Sequence, residues 1–325
     1  MSTYKKEVGT AVQNNAGDYT GAVEGQLWYN STAGSFQFRT LTTAGAWVTG
    51  GNMNTARREL GGSGTQTSSL AYGGYNGSYQ SLTESYNGST WTEVNDLSTG
   101  KLPGASTGSD NTNALMSGGN TGGGAITNVE TWNGTSWTEV ADLNTGKDAG
   151  AGGGTNTATL IFGGFSTART ALTESWNGTS WTEVNDLNTA RLYLAGTGEN
   201  NTIALAFGGN APPATGVTES YNGTSWTEVA DLNTSRDALA GAGGSNTSAL
   251  AFGGGAAVPI TGATELWNGT SWSEDTDLST GRQYIAGDGT TASAIAFGGG
   301  NPTYSNATEE WTGAGAPVTE TITTS

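Results

Sequence analysis

Two sets of charged side chains recur along this chain at nearly constant spacing, and they are the first residues to examine for chemistry. The acids are Glu84, Glu130, Glu174, Glu219, Glu265 and Glu309; the bases are Arg57, Lys101, Lys147, Arg191, Arg236 and Arg282. Paired carboxylates are the usual equipment of general acid–base hydrolysis. Here each acid returns once per repeat, and a site copied along a whole chain suits structure better than catalysis. A carboxylate in an apolar interior needs a cation or several donors, so the two sets are expected to pair, away from bulk solvent, as a structural ring. The remaining inventory is poor in reactive groups. There is no His and no Cys, which removes the commonest general base, the thiolate nucleophile and the usual zinc ligands. A third set, Asp96, Asp142, Asp186, Asp231 and Asp277, offers one carboxylate per repeat, too few for the roughly six to eight oxygens that calcium takes. A non-enzymatic chain is expected, without catalytic residues, metal or cofactor.

These residues are positioned by an internal repeat. Trp91, Trp137, Trp181, Trp226 and Trp272 stand 46, 44, 45 and 46 residues apart. An aromatic five residues earlier recurs as Tyr86, Trp132, Trp176, Tyr221, Trp267 and Trp311, and a Gly-Gly pair opens at Gly73, Gly118, Gly163, Gly208, Gly253 and Gly298. Self-similarity at this period marks a stacked or radial architecture. Each unit reads as four short strands. In the fourth, a small-residue strand covers Leu194 to Gly198, the next runs Ile203 to Phe207, the third Val217 to Tyr221 and the last Trp226 to Val229. Asn222-Gly223 between the last two is a strong hairpin signal, since both central residues of a type I′ turn need positive φ. No segment shows a helical period, so the fold expected is all-β, a six-bladed propeller of four-stranded antiparallel blades. The Gly- and Ala-rich first strands suit a crowded axis with no roomy central pocket. Leu70, Leu115, Leu160, Leu205, Leu250 and Ile295 supply the core between blades, together with an aromatic before each Gly pair except at Ser117.

Gly-Gly after an apolar strand, then an aromatic and a Trp, with a basic residue before the first strand, resembles the kelch repeat over residues 47–320. That resemblance implies a propeller and says little about activity, because kelch propellers serve as adaptors, binding heads and a few oxidases. The oxidases need His and Cys-linked copper chemistry, which this chain lacks. The string Ser85 to Trp91 has the outline of the Asp box of sialidases, but it is one residue short and carries Asn where that motif has Asp. The wording Trp-Asn-Gly-Thr-Ser-Trp-Thr-Glu-Val, and the opening Gly25-Gln26-Leu27-Trp28-Tyr29-Asn30-Ser31-Thr32, are similar to kelch-like structural and fibre proteins of marine tailed phages.

Residues 1–46 lie outside the repeat and are expected as a clasp or virion-docking segment, with a hairpin of Gln26 to Tyr29 and Ser35 to Phe38; residues 47–325 are assigned to the propeller. The Trp47 strand is expected to complete the last blade, the alternative being Pro317 to Ile322, with Ala316 standing where the repeat has Trp. The formal charge of −17 disfavours nucleic acid and anionic membranes, both of which call for a basic surface. No secretory signal is evident at the start, which fits a virion particle released by lysis, in which the chain is part of a possible homo-oligomer. The competing class is a carbohydrate- or protein-binding surface module of a bacterium. Connections between the second and third strands differ from blade to blade, and loops on a rigid scaffold are where recognition usually resides. Tyr75, Tyr79, Phe165, Arg169, Pro212, Pro213 and Tyr304 in these loops are therefore the expected contacts to other virion proteins or to a host-surface glycan or protein.

Overall fold

A computed structural model describes residues 12–255, 259–315 and 317–322. Among these the chain is all-β, with no helix, and none of it is a helix long and apolar enough to cross a membrane. It divides into two compact units, Ala46–Thr312 and a second formed by Met1–Gly45 with Gly313–Ser325.

The larger unit is a six-bladed propeller. Blade 4 shows the pattern: strand a is Ala195–Asn200, b Ile203–Phe207, c Thr218–Tyr221 and d Trp226–Val229. They hydrogen-bond in the order a-b-c-d, antiparallel throughout. Five blades are built from consecutive strands. The sixth joins Ala286–Gly289, Ser293–Phe297 and Thr308–Thr312 to Ala46–Thr49, with Trp311 opposite Trp47. The first strands of successive blades neighbour one another, and that of blade 6 returns to Gly61–Thr65 of blade 1, closing the ring.

Why strand a is built from Gly and Ala follows from how closely neighbouring inner strands approach. A Cβ on Gly153 would come within 2.8 Å of the Thr197 backbone in the next blade. In every blade but the second the Gly pair ends strand b, at φ values only glycine adopts readily: at Gly73 and Gly74, φ is 65° and 101°. Between blades, the six Leu and Ile residues named above are fully buried. The strand d Trp packs on the aromatic that precedes the Gly pair of the previous blade, as with Trp226 on Phe162 at 4.8 Å and Trp91 on Phe297 at 4.9 Å. Its indole Nε1 donates to the Thr that opens strand c of that same blade: Trp226 to Thr173 (3.3 Å), Trp272 to Thr218 (3.1 Å), Trp47 to Thr264, Trp91 to Thr308 and Trp137 to Thr83 (3.0 Å each).

In the second unit Leu27–Asn30 and Ser35–Leu41 form the hairpin expected around Ser31 to Gly34, Leu27 opposite Phe38. Gln13–Asn15 pairs parallel with the first of these strands and Pro317–Thr321 antiparallel with the second. Residues from Gly313 onward therefore group with the N-terminal segment rather than with the propeller, which differs from the assignment of 47–325 to the ring. The reason is physical. Ala46–Thr49 already occupies the outer place of blade 6, so Pro317–Thr321 finds its partner elsewhere. Ala316 lies outside the described residues.

Candidate interaction face

The conserved geometry of each blade is pinned by the recurring charges. Arg57 meets Glu84 at 2.8 Å, Lys101 meets Glu130 at 2.7 Å, Lys147 meets Glu174 at 3.4 Å, Arg191 meets Glu219 at 3.3 Å, Arg236 meets Glu265 at 3.2 Å and Arg282 meets Glu309 at 2.9 Å. All twelve side chains are buried. The base stands just before strand a and the acid on strand c of the same blade. Each acid also accepts a backbone N–H from the connection arriving from the previous blade, from Asn54, Ser98, Asn144, Asn188, Asn233 and Ser279, at 2.6–3.0 Å. One Glu thus fixes both its own blade and the crossover into it. In blades 4 and 5 the contact is charge proximity more than aligned hydrogen bonding, since Glu219 Oε1 and Arg236 Nη1 have no hydrogen-bond partner. Burial lowers the pKa of Lys147 and of the four arginines, and the facing Glu opposes that shift. The recurring Asp residues cap their own blade: Asp96, Asp186, Asp231 and Asp277 accept the N–H of the Thr opening strand c, and Asp142 accepts the Thr127 hydroxyl.

Two faces result. One carries the a–b and c–d turns, where Asn87, Asn133, Asn177, Asn222 and Asn268 fold their side chains back onto the following N–H groups. Asn111, Asn201 and Asn246 on this face reach across to a Ser and a carbonyl of the preceding blade. The other carries the b–c loops and the ends of the d–a connections. The b–c loops differ in sequence but share a frame. In blades 1, 3, 4 and 6 a bridge spans four residues, Tyr75 to Tyr79, Phe165 to Arg169, Asn210 to Ala214 and Gly300 to Tyr304. Blade 5 joins Gly255 to Ile260, with residues 256–258 outside the described set. Blade 2 instead extends strands b and c to Asn120 and Ala125.

Three of the loop residues singled out by sequence come together. Tyr75 packs edge-on against Tyr79, with centroids 5.4 Å apart, and against Tyr304, at 6.1 Å. Phe165 is exposed and bridges to Arg169, whose Nη2 donates to Asn210 at 2.9 Å. Pro212 and Pro213 are exposed in the loop of blade 4. The tyrosine cluster continues inward through residues that sequence reasoning passed over. Arg58 lies over the rings of Tyr304 (5.7 Å) and Tyr284 (5.4 Å) and pairs with Glu59 at 3.3 Å; Tyr284 in turn meets Tyr193 at 5.1 Å.

Glu59, Ala149, Tyr193, Ala238 and Tyr284 occupy one equivalent position, two residues after the recurring base, and all hold φ of 51–54°. Their backbones form a chain round the axis: Glu59 N–H donates to Tyr284 O, Tyr284 to Ala238, Ala238 to Tyr193 and Tyr193 to Ala149. The small Ala238 lets the two tyrosines meet above it. Together with Asp148 these residues line a recess of about 120 Å³ at the mouth of the axis. Burial raises the pKa of Glu59, against the opposing pull of Arg58, and also that of Asp148; it raises Tyr193 and Tyr284 too. A signal for this cluster did exist in the sequence: the two positions after each base vary (Arg58-Glu59, Leu102-Pro103, Leu192-Tyr193, Gln283-Tyr284) inside a connection that otherwise repeats.

The axis itself corrects one expectation. Strand a contributes so few side chains that the centre stays open, as a cavity of about 330 Å³ lined by Gly, Ser and Thr with Ala242, Glu199 and Asp288. No protein-family model matches the chain, and no curated protein matches it in sequence.

Proposed function

We propose that this chain is a non-enzymatic binding and structural propeller of the kelch type, carried in a tailed-phage virion as a structural or fibre protein, and that its b–c face meets the partner. The observation that carries the reading is where the basic side chains outside the buried pairs lie. Of the eight Lys and Arg in the propeller unit, six are consumed in buried pairs. The other two, Arg58 and Arg169, are on the b–c face beside Tyr75, Tyr79, Phe165, Tyr193, Tyr284 and Tyr304. Tyr and Arg provide large, stiff contact area with a polar end, and they dominate binding hot spots. The repeat wording and the leader resembling phage fibre segments support the virion assignment, and mass spectrometry of purified particles from the source tests it directly. For the face, Tyr79, Phe165 and Tyr304 replaced together by Ala should weaken host attachment or particle assembly at unchanged melting temperature. Full attachment and assembly by that variant, with loss on trimming the Asn-Gly turns, would place recognition on the opposite face.

A further inference from the structure

Halfway along strand a, one equivalent position in each blade lies at the edge of the central cavity: Ser63, Thr107, Gly153, Thr197, Ala242 and, in blade 6, Asp288. Where this residue carries a polar side chain it reaches into the seam with the next blade, as with Ser63 to Thr107, Thr107 to Thr159 and Thr197 to Ser245. Only Asp288 is ionisable. Its carboxyl is buried, with 8% of the residue exposed, and Oδ2 accepts a hydrogen bond from the Ser69 hydroxyl of blade 1. Gly62 of blade 1 lies directly against it; a Cβ there would stand 3.2 Å from each carboxyl oxygen. Asp288 is therefore wedged into the seam where the last blade meets the first. Tyr86 of blade 1 bonds to Glu310 of blade 6 across the same seam, and Gln66 donates to Trp311 O at 2.6 Å.

Among the described residues nothing facing this carboxyl supplies a positive charge. The cavity wall holds no Lys or Arg, and its one other titratable group is Glu199 of blade 4, which is exposed. From the adjoining strand of blade 1 comes the buried phenol of Tyr72, bonded to Ser63 Oγ at 2.8 Å. The facing residues of strand a in blades 1 and 5 and of strand b in blade 6 are not ionisable. A lone carboxyl with a neutral partner and no counter-charge is stable in such a place while it keeps its proton.

We propose that Asp288 makes the seam between blades 6 and 1 a pH-sensitive joint, closed while the carboxyl is protonated and weakened when it ionises. Burial pushes this carboxyl up to about 7, the Ser69 hydrogen bond opposing. The ordinary value applies in the unfolded chain, so the folded ring holds the proton more tightly. The stability gained from this is complete below the ordinary carboxylate range and is lost as pH rises through about 7. Between pH 5 and 8.5 the folding equilibrium falls by roughly a hundredfold from this group alone.

The test is denaturant unfolding of the full chain at pH 5 to 8.5, for the wild type, Asp288→Asn and Asp288→Thr, the second being the residue type of blades 2 and 4. Glu59 and Asp148 add their own pH dependence in all three, so the difference from wild type is what is read. Both variants should lose about a hundredfold of the wild-type pH dependence and be at least as stable as wild type at pH 8.5. Amide exchange, corrected for its intrinsic rate, should quicken with pH at Gly61–Thr65 and Ala286–Gly289 relative to Ala151–Thr155, in wild type only. Ser69→Ala retains the carboxyl and should keep the dependence. Parallel pH profiles, or exchange that quickens equally all round the ring, would overturn the joint; if one variant fails to fold, the other decides.

Discussion

Blade 2 and the other five blades are made to one plan, and where they part shows which residues work as a set. In the standard contact, the Trp of one blade finds two things on the previous blade: an aromatic ring to pack on and a Thr hydroxyl to receive its N–H. Blade 2 offers neither. Ser117 stands in place of the aromatic and Val129 in place of the Thr. Trp181, which arrives there, donates to Ala141 O at 3.0 Å and packs with Val129, Leu143 and its own blade's Trp176. The Ser117 hydroxyl is buried without a partner. Two substitutions that look independent along the chain are thus two halves of one altered contact. The partners of the basic residue differ too: Lys101 donates to the Asn128 side chain as well as to Glu130, whereas Lys147 and Arg191 reach backbone carbonyls, of Leu172 and of Val217 and Ala206.

The sharpest way to break the comparison is to remove the tryptophans. Trp226→Ala should cost about 4–5 kcal/mol by chemical denaturation, at the top of the range for a buried aromatic. Trp181→Ala should cost about 1 kcal/mol less, because no ring and no hydroxyl of the preceding blade lose a partner. Next come the ion pairs. Glu219→Ala strands a buried Arg191 and should destabilise by about 3–5 kcal/mol. Glu130→Ala leaves Lys101 with Asn128 and should fall below that. Thr218→Val, which deprives Trp272 of its acceptor while preserving shape, should cost about 1–2 kcal/mol. The reverse change in blade 2, Val129→Thr, puts a hydroxyl into a fully buried apolar cluster and should cost about 1 kcal/mol if Trp181 stays with Ala141 O. A large gain there would mean that the standard contact is better than the substitute.

Much of the ring could be read directly because its information is local and copied. The spacing of Trp, Gly-Gly and basic residues fixes strand order and blade number, and the spare Trp47 shows which segment fills the last place. Even the Ser117 exception was visible, though Val129 acquires its meaning only once both are seen under Trp181. The face was legible in part, since Tyr75, Tyr79 and Tyr304 stood out as loop aromatics. Their inward continuation did not, because Glu59, Tyr193 and Tyr284 belong to three different blades and converge only through closure of the ring. The open axis escaped for a related reason. Small residues signal crowding, yet the strands that lack side chains in order to approach one another also leave the middle unfilled.

The two ends of the chain are laced together twice in succession. Ala46–Thr49 lies beside Thr308–Thr312, and further out Ser35–Leu41 lies beside Pro317–Thr321. Tension applied through both ends must load the outer pairing before any reaches the inner one. The strands of each pairing run antiparallel, with Trp311 opposite Trp47 in one and Glu320 opposite Phe38 in the other, so such a pull would peel the outer pairing residue by residue.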